Sequence, residues 1–300
     1  MKSHQTLIRR AHIIQTVRQF FISKGFLEVE TPLCIPANAP EEYIDPIPCG
    51  DSFMQTSPEI CMKRLLCRGH DKLFQISRCW RSGERGRRHI PEFTMLEWYR
   101  ADSSYLDLMV DCEELLAWLD DQCCRETTPV YQNKRLDLRC EAQRITVKEA
   151  FQQFSALTVD EAINDDVFDE IMAIKIEPGL PPEMPVILMD YPVKMAALAR
   201  AKPDDPTVAE RFELYLGGLE LANGFSELND SQEQRERFLS ANKKRIETGR
   251  TPLPLPEPFL MELSAMPPSA GIALGIDRLV MLLTNAEQID DVLAFSPEDL

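Results

Sequence analysis

Two glutamates beside a predicted turn are the first candidates for chemistry. A Gly-Gly pair separates two β-prone runs, 211–216 and 219–225, and signals a two-residue hairpin. The pairing that follows from this turn sets Glu213 opposite Ala222 and places Glu213 and Glu220 on one face, roughly 7–8 Å apart. Such carboxylates repel each other unless a cation or an arginine lies between them, and oxygen ligands suit a magnesium ion that holds phosphates. A solvated edge without a cation is the alternative.

A third carboxylate lies on another predicted strand, over 92–99. Because side chains alternate along a strand, Glu97 and Tyr99 point to the same, mostly apolar face. Burial of an unpaired carboxylate costs on the order of several kcal/mol, so Glu97 must be hydrogen-bonded, paired or functional. A structural ion pair with Arg78 or Arg81 is the alternative to a functional role.

Small residues near the end of the chain leave a strip of backbone uncovered. Gly271, Ala273 and Gly275 alternate along a predicted strand and share one face. A flat group can lie against such a face, and Arg278, at the start of the next predicted helix, can reach a phosphate in the same space. Close sheet packing with a surface arginine is the alternative.

The elements that must position these residues suggest an antiparallel α+β fold. Hairpins connect the informative strands, and neither GxGxxG nor GxxxxGK[ST] occurs. We therefore expect an antiparallel sheet flanked by helices. Residues 122–207 carry few signals apart from a capping box at Thr146 and Glu149. The remaining predicted elements are a helix over 7–24, a strand over 26–31, a helix that Ser57, Pro58 and Glu59 open and Gly69 ends, strands over 72–80 and 186–189, helices over 104–121 and 230–247, and a strand and helix within 271–283.

Composition places the chain among ordinary globular proteins. Its 300 residues are 44% hydrophobic and 27% charged, and no stretch approaches the roughly 18 apolar residues of a membrane helix. Arg9 and Arg10 interrupt any signal-peptide core, so we expect a cytoplasmic protein with no membrane partner. The net charge of −16 disfavours non-specific binding to nucleic acid. Nine cysteines without a ligand spacing are expected to be mostly small buried hydrophobic residues in a reducing compartment, with a metal or redox pair at Cys123 and Cys124 as the alternative.

Four segments resemble the motifs of a known enzyme family. Class II aminoacyl-tRNA synthetases, and most of all lysyl-tRNA synthetase catalytic domains, carry motifs 1, 2 and 3 that are similar to FLEVETP (26–32), RCWRSGERGRRHIPEFTMLEWY (78–99), LELANGFSELND (219–230) and GIALGIDR (271–278). The resemblance runs from about residue 7 to 295 and implies one catalytic domain over 1–300, without an N-terminal anticodon-binding OB-fold. In this respect the chain resembles truncated paralogues that attach (R)-β-lysine to elongation factor P.

The resemblance implies a site for ATP and magnesium. Arg81 matches the motif 2 arginine that holds the α-phosphate and the substrate carboxylate, and Arg278 matches the motif 3 arginine at the γ-phosphate; both are the implied catalytic residues. Phe93 matches the residue that stacks on adenine, and Glu213 and Glu220 match the Mg²⁺ ligands. The full implied nucleotide site consists of Arg81, Ser82, Gly83, Glu84, His89, Phe93, Glu220, Leu221, Gly275 and Arg278.

The resemblance also implies an amino-acid pocket rich in acids, which suits a substrate with two ammonium groups. Its implied members are Ser57, Glu59, Glu97, Tyr99, Asn223, Phe225, Glu227 and Ala273. Ala273 stands where lysyl-tRNA synthetases tend to have glycine, and its methyl group favours a displaced amino group, as in (R)-β-lysine. Because side chains alternate along a strand, Asn223 and Glu227 are expected to point to the face opposite that of Glu220. A bulge or bend near Gly224 is therefore needed to bring them into one site.

Two positions depart from the family pattern. Gly83 stands where lysyl-tRNA synthetases have a motif 2 glutamate, so contact with the adenine amino group is expected to shift to Glu84 or to the backbone. Ile90 replaces a usual asparagine, which removes a polar side chain at that position.

The implied reaction is ATP-dependent activation of (R)-β-lysine, or of lysine, as an adenylate, followed by transfer to a lysine side chain of elongation factor P. A homodimer built on motif 1 is expected. One alternative is aminoacylation of tRNA, which the missing anticodon domain and the charge of −16 disfavour. Another is a non-catalytic paralogue that senses an amino acid, which the presence of both arginines and both metal carboxylates disfavours.

Overall fold

An eight-stranded sheet forms the centre of the computed structural model, which describes residues 4–124, 128–196 and 198–300. The strands are β1 (Leu27–Glu28), β2 (Cys34–Ile35), β3 (Pro48–Cys49), β4 (Ser52–Met54), β5 (Lys72–Trp80), β6 (Glu92–Ala101), β7 (Val130–Tyr131), β8 (Lys134–Arg135), β9 (Gln143–Thr146), β10 (Val186–Pro192), β11 (Val208–Leu216), β12 (Leu219–Ser226) and β13 (Ser269–Gly275). The helices are α1 (His4–Ser23), α2 (Glu59–Cys67), α3 (Tyr105–Cys123), α4 (Val147–Phe154), α5 (Val159–Asn164), α6 (Phe168–Ile171), α7 (Glu177–Gly179), α8 (Ser231–Glu247), α9 (Glu257–Glu262) and α10 (Ile276–Thr284). A π-helical turn spans Met172–Ile176, and short 3₁₀ turns span Val193–Met195, Leu263–Ala265, Ile289–Val292 and Pro297–Asp299.

The large sheet has the strand order β1-β5-β6-β13-β12-β11-β10-β9. From β5 to β10 in this order every neighbouring pair is antiparallel, which confirms the predicted α+β fold and its antiparallel sheet there. The prediction is wrong at the two edges, because β1 runs parallel to β5 and β9 runs parallel to β10. In both cases the intervening chain contains a helix, which gives it the length that a parallel connection needs. Strands β2-β4-β3 and β7-β8 form two small separate sheets.

Three helices cover one face of the large sheet. Along β6, Leu96 and Trp98 are buried in a hydrophobic core that contains residues of α1, α3 and α10. The alternating residues Glu97 and Tyr99 point to the opposite face, where Tyr99 joins a different buried cluster. One face of the sheet is therefore a core, and the other is available for chemistry.

Most of the predicted elements are confirmed, with small shifts at their ends. Strand 72–80 coincides with β5, and the helices predicted over 7–24, 104–121 and 230–247 correspond to α1, α3 and α8. The predicted capping box opens α4, with reciprocal hydrogen bonds between the capping threonine and a glutamate three residues later.

Two predicted boundaries are wrong. Helix α2 has Pro58 at its N-cap, whereas Ser57 lies one residue earlier and its hydroxyl accepts a hydrogen bond from the Glu59 amide at 3.0 Å. The strand predicted over 26–31 shortens to β1, since only Val29 adds one more hydrogen bond to β5 before the chain approaches a proline.

Three further expectations concern membranes, thiols and metals. None of the helices in the described part of the chain combines the length and apolar character needed to span a bilayer. The nine cysteines are unpaired thiols, and two of them, Cys79 and Cys112, are buried, so the expectation that most cysteines are buried is wrong. Within the described residues, Cys123 and Cys124 belong to no group of three or more metal-ligating side chains, so the alternative of a metal site there finds no support.

Candidate active site

The register of the large sheet gathers many of the predicted residues on the face opposite the three helices. One row across β11, β12, β13 and β6 consists of the paired residues Glu213, Asn223, Ala273 and Glu97. The next row consists of Arg211, Phe225, Gly271 and Tyr99. Because directly paired residues project to the same face, side chains that are far apart in the sequence share one surface.

A β-bulge in the hairpin of β11 and β12 corrects two predictions. The predicted pairing of Glu213 with Ala222 is wrong, because Glu213 pairs with Asn223. One extra residue, Leu221, enters β12 where the register shifts, so the bulge lies there and not near Gly224. The bulge reverses the alternation of side chains and brings Asn223 to the face of both glutamates. The two glutamates remain on one face, as predicted.

A cavity of about 250 Å³ opens on this surface. The predicted site residues that line it are Arg81, Glu84, His89, Phe93, Glu220, Leu221, Asn223, Ala273, Gly275 and Arg278. Ile90, noted above as a departure from the family pattern, also lines the cavity. Lining residues that the sequence did not single out are Arg88, Thr94, Met95, Ala222, Asp277 and Ile289. Most of the predicted nucleotide residues therefore meet at one cavity, which we call the nucleotide cavity below, together with two predicted amino-acid residues, Asn223 and Ala273. The other predicted amino-acid residues do not line it; these are Ser57, Glu59, Glu97, Tyr99, Phe225 and Glu227.

Two predicted members of the nucleotide site lie outside this cavity. The Ser82 amide donates a hydrogen bond to the carbonyl of Asp45 at 2.7 Å, which anchors the turn after β5. Gly83 has a φ of 77°, a left-handed conformation that glycine adopts without strain. Glu84, the next residue, lines the cavity, so its carboxylate is placed where contact with a nucleotide was predicted.

Arg81 is one of three arginines that line the nucleotide cavity, with Arg88 and Arg278. Its guanidinium carbon lies 5.2 Å from the ring centre of Phe93, and its Nη1 lies 3.9 Å from a Glu84 carboxylate oxygen. Its Nε is buried and has no hydrogen-bond partner among the residues that the structure describes. A buried donor without a partner is costly, so Arg81 is equipped to donate to an anionic group that enters the cavity.

Arg278 is another of these arginines. Its Nη1 donates to the backbone carbonyl of Glu220 at 2.9 Å and lies 3.2 Å from the Glu220 carboxylate, and its Nη2 lies 2.6 Å from Nε2 of His89. Burial and the charge of Arg278 lower the pKa of His89, which favours a neutral ring that accepts this hydrogen bond. Its Nε also donates to the backbone carbonyl of Arg88 at 3.4 Å, so the arginine is held by four contacts and still lines the cavity.

The two predicted metal carboxylates have different surroundings. Glu220 lines the cavity and its side chain is 37% exposed. Glu213 does not line it and accepts hydrogen bonds from the hydroxyls of Tyr191 and Tyr215, each at 2.6 Å, and from Arg211 at 2.5 Å. Burial raises the pKa of Glu213, Arg211 lowers it and the charge of Glu220 raises it again, so the two carboxylates are close enough to interact.

Glu213 and Glu220 fit a magnesium ion only when the phosphates of a nucleotide supply further ligands. In the described part of the chain, no group of three or more His, Cys, Asp or Glu side chains is arranged to hold a metal by itself. Magnesium in phosphoryl-transfer sites uses one or two carboxylates together with substrate phosphates. Glu220 is the carboxylate that reaches the cavity, and Glu213 keeps one lone pair beyond its three hydrogen bonds, so both fit an ion that arrives with a nucleotide.

Glu97 is the centre of the predicted amino-acid pocket. It is 1% exposed, and its two carboxylate oxygens accept hydrogen bonds from the hydroxyls of Ser57 at 2.5 Å and Tyr99 at 2.7 Å. The alternative of an ion pair with Arg78 or Arg81 is wrong, since these arginines lie near other carboxylates. Burial, with a further contribution from Glu59, raises the pKa of Glu97 to about 8 despite the two hydrogen bonds.

Two more predicted carboxylates meet at a buried lysine. Nζ of Lys63 lies 3.1 Å from Glu59 and 2.7 Å from Glu227, and it lies 5.1 Å from the ring centre of Phe225. Burial raises the pKa of Glu227 to about 7, although Lys63 lowers it. Glu59, Glu97, Glu227 and Lys63 therefore form one desolvated charged cluster, which we call the acidic pocket.

The strip of small residues on β13 has two different surroundings. A side chain at Gly271 would clash with Tyr99 and with the Glu227 carboxylate, so glycine is required there by neighbours within the protein. A methyl group at Gly275 would touch only the Arg278 side chain, at 3.7 Å or more. The predicted space for a flat group is thus found at Gly275, in the cavity, and not at Gly271.

Sequence reasoning missed several residues that hold the site. Lys63 follows Glu59 by four residues on a predicted helix, and that spacing is a readable signal for an ion pair. Tyr191 belongs to the stretch that carried few signals. Asp277 accepts the Thr94 amide at 2.7 Å and lies 2.6 Å from Arg10 of α1, which fixes the start of α10 and thereby Arg278.

Comparisons with known proteins identify the family of this chain. A family model described as tRNA synthetases class II (D, K and N) matches residues 1–299. An elongation factor P–(R)-β-lysine ligase of Erwinia tasmaniensis is 40% identical over 97% of this chain and 94% of the relative. Proteins of the same name from Edwardsiella ictaluri and Haemophilus influenzae strain PittGG are each 38% identical, over 97% and 98% of this chain and 94% and 96% of their own lengths.

Proposed function

This chain belongs to the class II tRNA synthetases, and we propose that within this family it is an AMP-forming ligase specific for (R)-β-lysine and elongation factor P. The enzyme activates the amino acid with ATP and transfers the acyl group to a lysine side chain of the protein substrate. The similar ligases carry this substrate pair in their names, and they align with nearly the whole chain.

One observation supports this proposal more than any other. A cavity lined by Arg81 and Arg278 and a desolvated acidic pocket lie on the same face of one sheet, joined by the row that contains Asn223, Ala273 and Glu97. Two arginines suit a triphosphate, and several carboxylates suit a substrate with two ammonium groups. The two substrates of an amino-acid activation reaction would therefore lie side by side.

In the first step the carboxylate of β-lysine attacks the α-phosphorus of ATP, and pyrophosphate leaves. Arg81 would lie at the α-phosphate and the attacking carboxylate, and Arg278 at the outer phosphates, so both neutralise charge that builds up as the bond forms. Phe93 would stack on the adenine ring, with Glu84 beside it in place of the glutamate that is missing at Gly83. A magnesium ion held by Glu213, Glu220 and the phosphates would supply further charge neutralisation.

In the second step the neutral amine of a lysine on elongation factor P attacks the acyl carbon, AMP leaves with the bonding electrons, and the proton that the nitrogen loses passes to the departing phosphate or to water. Positioning and charge neutralisation supply the catalysis, and we expect neither a covalent enzyme intermediate nor a dedicated protein base. Asn223, Phe225 and the acidic pocket would hold the amino acid in place between the two steps.

The assembly proposed for the enzyme is a homodimer built on α1. Exposed apolar side chains on and just after this helix offer a surface for a second copy, including Ile8, Ile22, Leu27 and Leu33. We also propose that tRNA is not a substrate and that the chain is one catalytic domain acting in the cytoplasm.

A transfer assay tests the proposal. The purified chain is incubated with ATP, Mg²⁺ and (R)-β-lysine, together with elongation factor P in one reaction and total tRNA in another. We expect the intact mass of elongation factor P to increase by one β-lysyl group and tRNA to remain uncharged. Charging of tRNA with no change in elongation factor P would favour a tRNA synthetase, and binding without either transfer would favour an amino-acid sensor.

A further inference from the structure

Lys63 is a buried charge that the reaction steps above do not use. Its side chain is 2% exposed, and its ammonium group contacts Glu59 on its own helix and Glu227 after β12. Burial alone lowers the pKa of a lysine, but Glu227 and Glu59 outweigh this effect and raise the pKa of Lys63 above its ordinary value. Lys63 therefore carries a permanent positive charge in the acidic pocket.

The surroundings of Lys63 have the chemistry of an ammonium-binding site. Two carboxylates and the face of Phe225, 5.1 Å from Nζ, surround the charge. A buried ion pair is weak evidence for a stabilising role, because well-packed apolar residues often serve stability as well or better. A role for Lys63 in ligand recognition explains why the chain keeps a charge at this position.

The charges of the acidic pocket can be compared with those of the substrate. Glu59, Glu97 and Glu227 supply three negative charges when all are ionised, and Lys63 neutralises one of them. Two negative charges remain, which equals the number of ammonium groups on β-lysine. Burial and the nearby Glu59 raise the pKa of Glu41, and Arg81 and Arg211 are the counter-charges of this fourth acid.

The surroundings of Glu227 are a second, independent indication that a ligand binds in the acidic pocket. It is 1% exposed, and its Oε1 has no hydrogen-bond partner among the described residues. This atom lies over the backbone of Gly271, where a side chain would collide with it. Lys63 contacts Oε2 and so fixes the carboxylate with its other oxygen unpaired.

We propose that Lys63 is a positioning residue that sets the charge of the acidic pocket and thereby selects amino acids with two ammonium groups. The inference rests on the proposed function for the identity of the amino acid. It deepens that function, because it assigns the selection for diammonium substrates to a residue outside the predicted site.

Calorimetric titration tests this role without the need for catalysis. Lys63→Met keeps the volume of the side chain and removes its charge. We expect this variant to bind (R)-β-lysine about 10- to 100-fold more weakly than the wild type and to bind ATP as before, because Lys63 lowers the pKa of Glu97 and Glu227 and its loss favours their uncharged forms. We also expect the preference for (R)-β-lysine over 3-aminohexanoate, which lacks the terminal ammonium, to fall about 10-fold.

Chemical rescue separates charge from packing. In Lys63→Ala, n-butylammonium replaces the missing side chain with its charge and n-butanol replaces it without, so only butylammonium is expected to restore affinity. Unchanged affinity and selectivity in Lys63→Met, or equal rescue by butanol, would overturn the proposal. Failure of the wild type to bind any diammonium amino acid would overturn it too. Binding by the wild type without pyrophosphate exchange would instead overturn the proposed ligase function and leave the role of Lys63 intact.

Discussion

The nucleotide cavity and the acidic pocket lie on one sheet face, yet they handle charge in opposite ways. At the cavity, the side chains of Arg81 and Arg278 are 25% and 20% exposed, so water shares the work of stabilising their charges. In the acidic pocket, Lys63 and Glu227 are almost completely buried, and protein groups alone must balance every charge. The cavity is therefore prepared for an anion at any ordinary pH.

The carboxyl groups of the acidic pocket ionise fully near neutral pH only when a cationic ligand binds. Burial raises the pKa values of Glu97 and Glu227 to about 8 and about 7, so a large share of the pocket's carboxyl groups hold protons near neutral pH. A cationic substrate must displace these protons. ATP would therefore meet arginines that are already charged, whereas the amino acid would cause the carboxyl groups that bind it to ionise.

Removal of a cavity cation is the change with the largest expected effect. Arg278→Ala removes a group that would contact the phosphates as charge builds up, and we expect the rate of pyrophosphate exchange to fall about 100- to 1000-fold. Arg87→Ala is the matched control, because Arg87 is 69% exposed and lies 3.8 Å from its nearest acidic partner. An equal loss in both variants would show that general positive charge, and not Arg278, serves the reaction.

Removal of a carboxylate from the acidic pocket is expected to weaken binding of the amino acid and not of ATP. In Glu97→Gln the side chain keeps its shape and loses the charge that an ammonium group needs, so affinity for (R)-β-lysine should fall about 10- to 100-fold with little change in ATP affinity. Glu92→Gln, on the exposed end of the same strand, is the control. A parallel loss of ATP affinity in Glu97→Gln would contradict the separation of the two regions.

Proton release should accompany binding of the amino acid but not of ATP. An ammonium group favours ionised Glu97 and Glu227, so (R)-β-lysine is expected to displace protons near pH 7 and to bind more tightly as the pH rises from about 6 to 8. Calorimetry in buffers with different ionisation enthalpies measures the protons. Proton uptake on binding would contradict the assigned pKa directions.

The raised pKa of Glu97 also makes the stability of the free protein depend on pH. This stability is expected to fall as the pH rises, whereas binding of the amino acid strengthens. The folded-state pKa of Glu97, about 8, exceeds its ordinary value of 4.5, so its contribution to stability is complete below pH 4.5 and is lost as the pH rises through about 8. We expect the Tm of the free protein to fall between pH 6 and 8.5, and this fall to be smaller in Glu97→Gln. An identical pH dependence in both proteins would exclude Glu97 as its source.

The smallest expected effect concerns the border between the two regions. Ala273 lies in the sheet row between Asn223 and Glu97, and its methyl group lines the cavity. Loss of one methyl group in Ala273→Gly should raise the use of α-lysine relative to (R)-β-lysine by about 10-fold. Pyrophosphate exchange with the two amino acids measures this ratio, and an unchanged ratio would remove Ala273 from the list of specificity residues.

The sequence predicted the strands of the site better than their register. A two-residue turn fixes the pairing close to the turn, so the placement of Glu213 and Glu220 on one face was predictable. A single extra residue at Leu221 then shifts every later pair, and nothing in the local composition marks it. The correct row of Glu213, Asn223, Ala273 and Glu97 therefore required the structure.

The contacts that surround the site could not be predicted from the sequence either. Tyr191 reaches Glu213 from β10, whose pairing with β11 depends on a long and weakly patterned stretch of chain. Lys63 and Glu227 meet from α2 and the end of β12, which are far apart in the sequence. Long-range contacts of this kind follow from the packing of whole elements, which local spacing does not report.

Pyrophosphate exchange with (R)-β-lysine, (S)-β-lysine and α-lysine tests the central claim most directly, because the signal requires both regions to be filled at once. We predict ATP-dependent exchange that is fastest with (R)-β-lysine and falls about 100- to 1000-fold in Arg278→Ala. The absence of exchange with all three amino acids would contradict the account of two charged regions that together activate a diammonium acid.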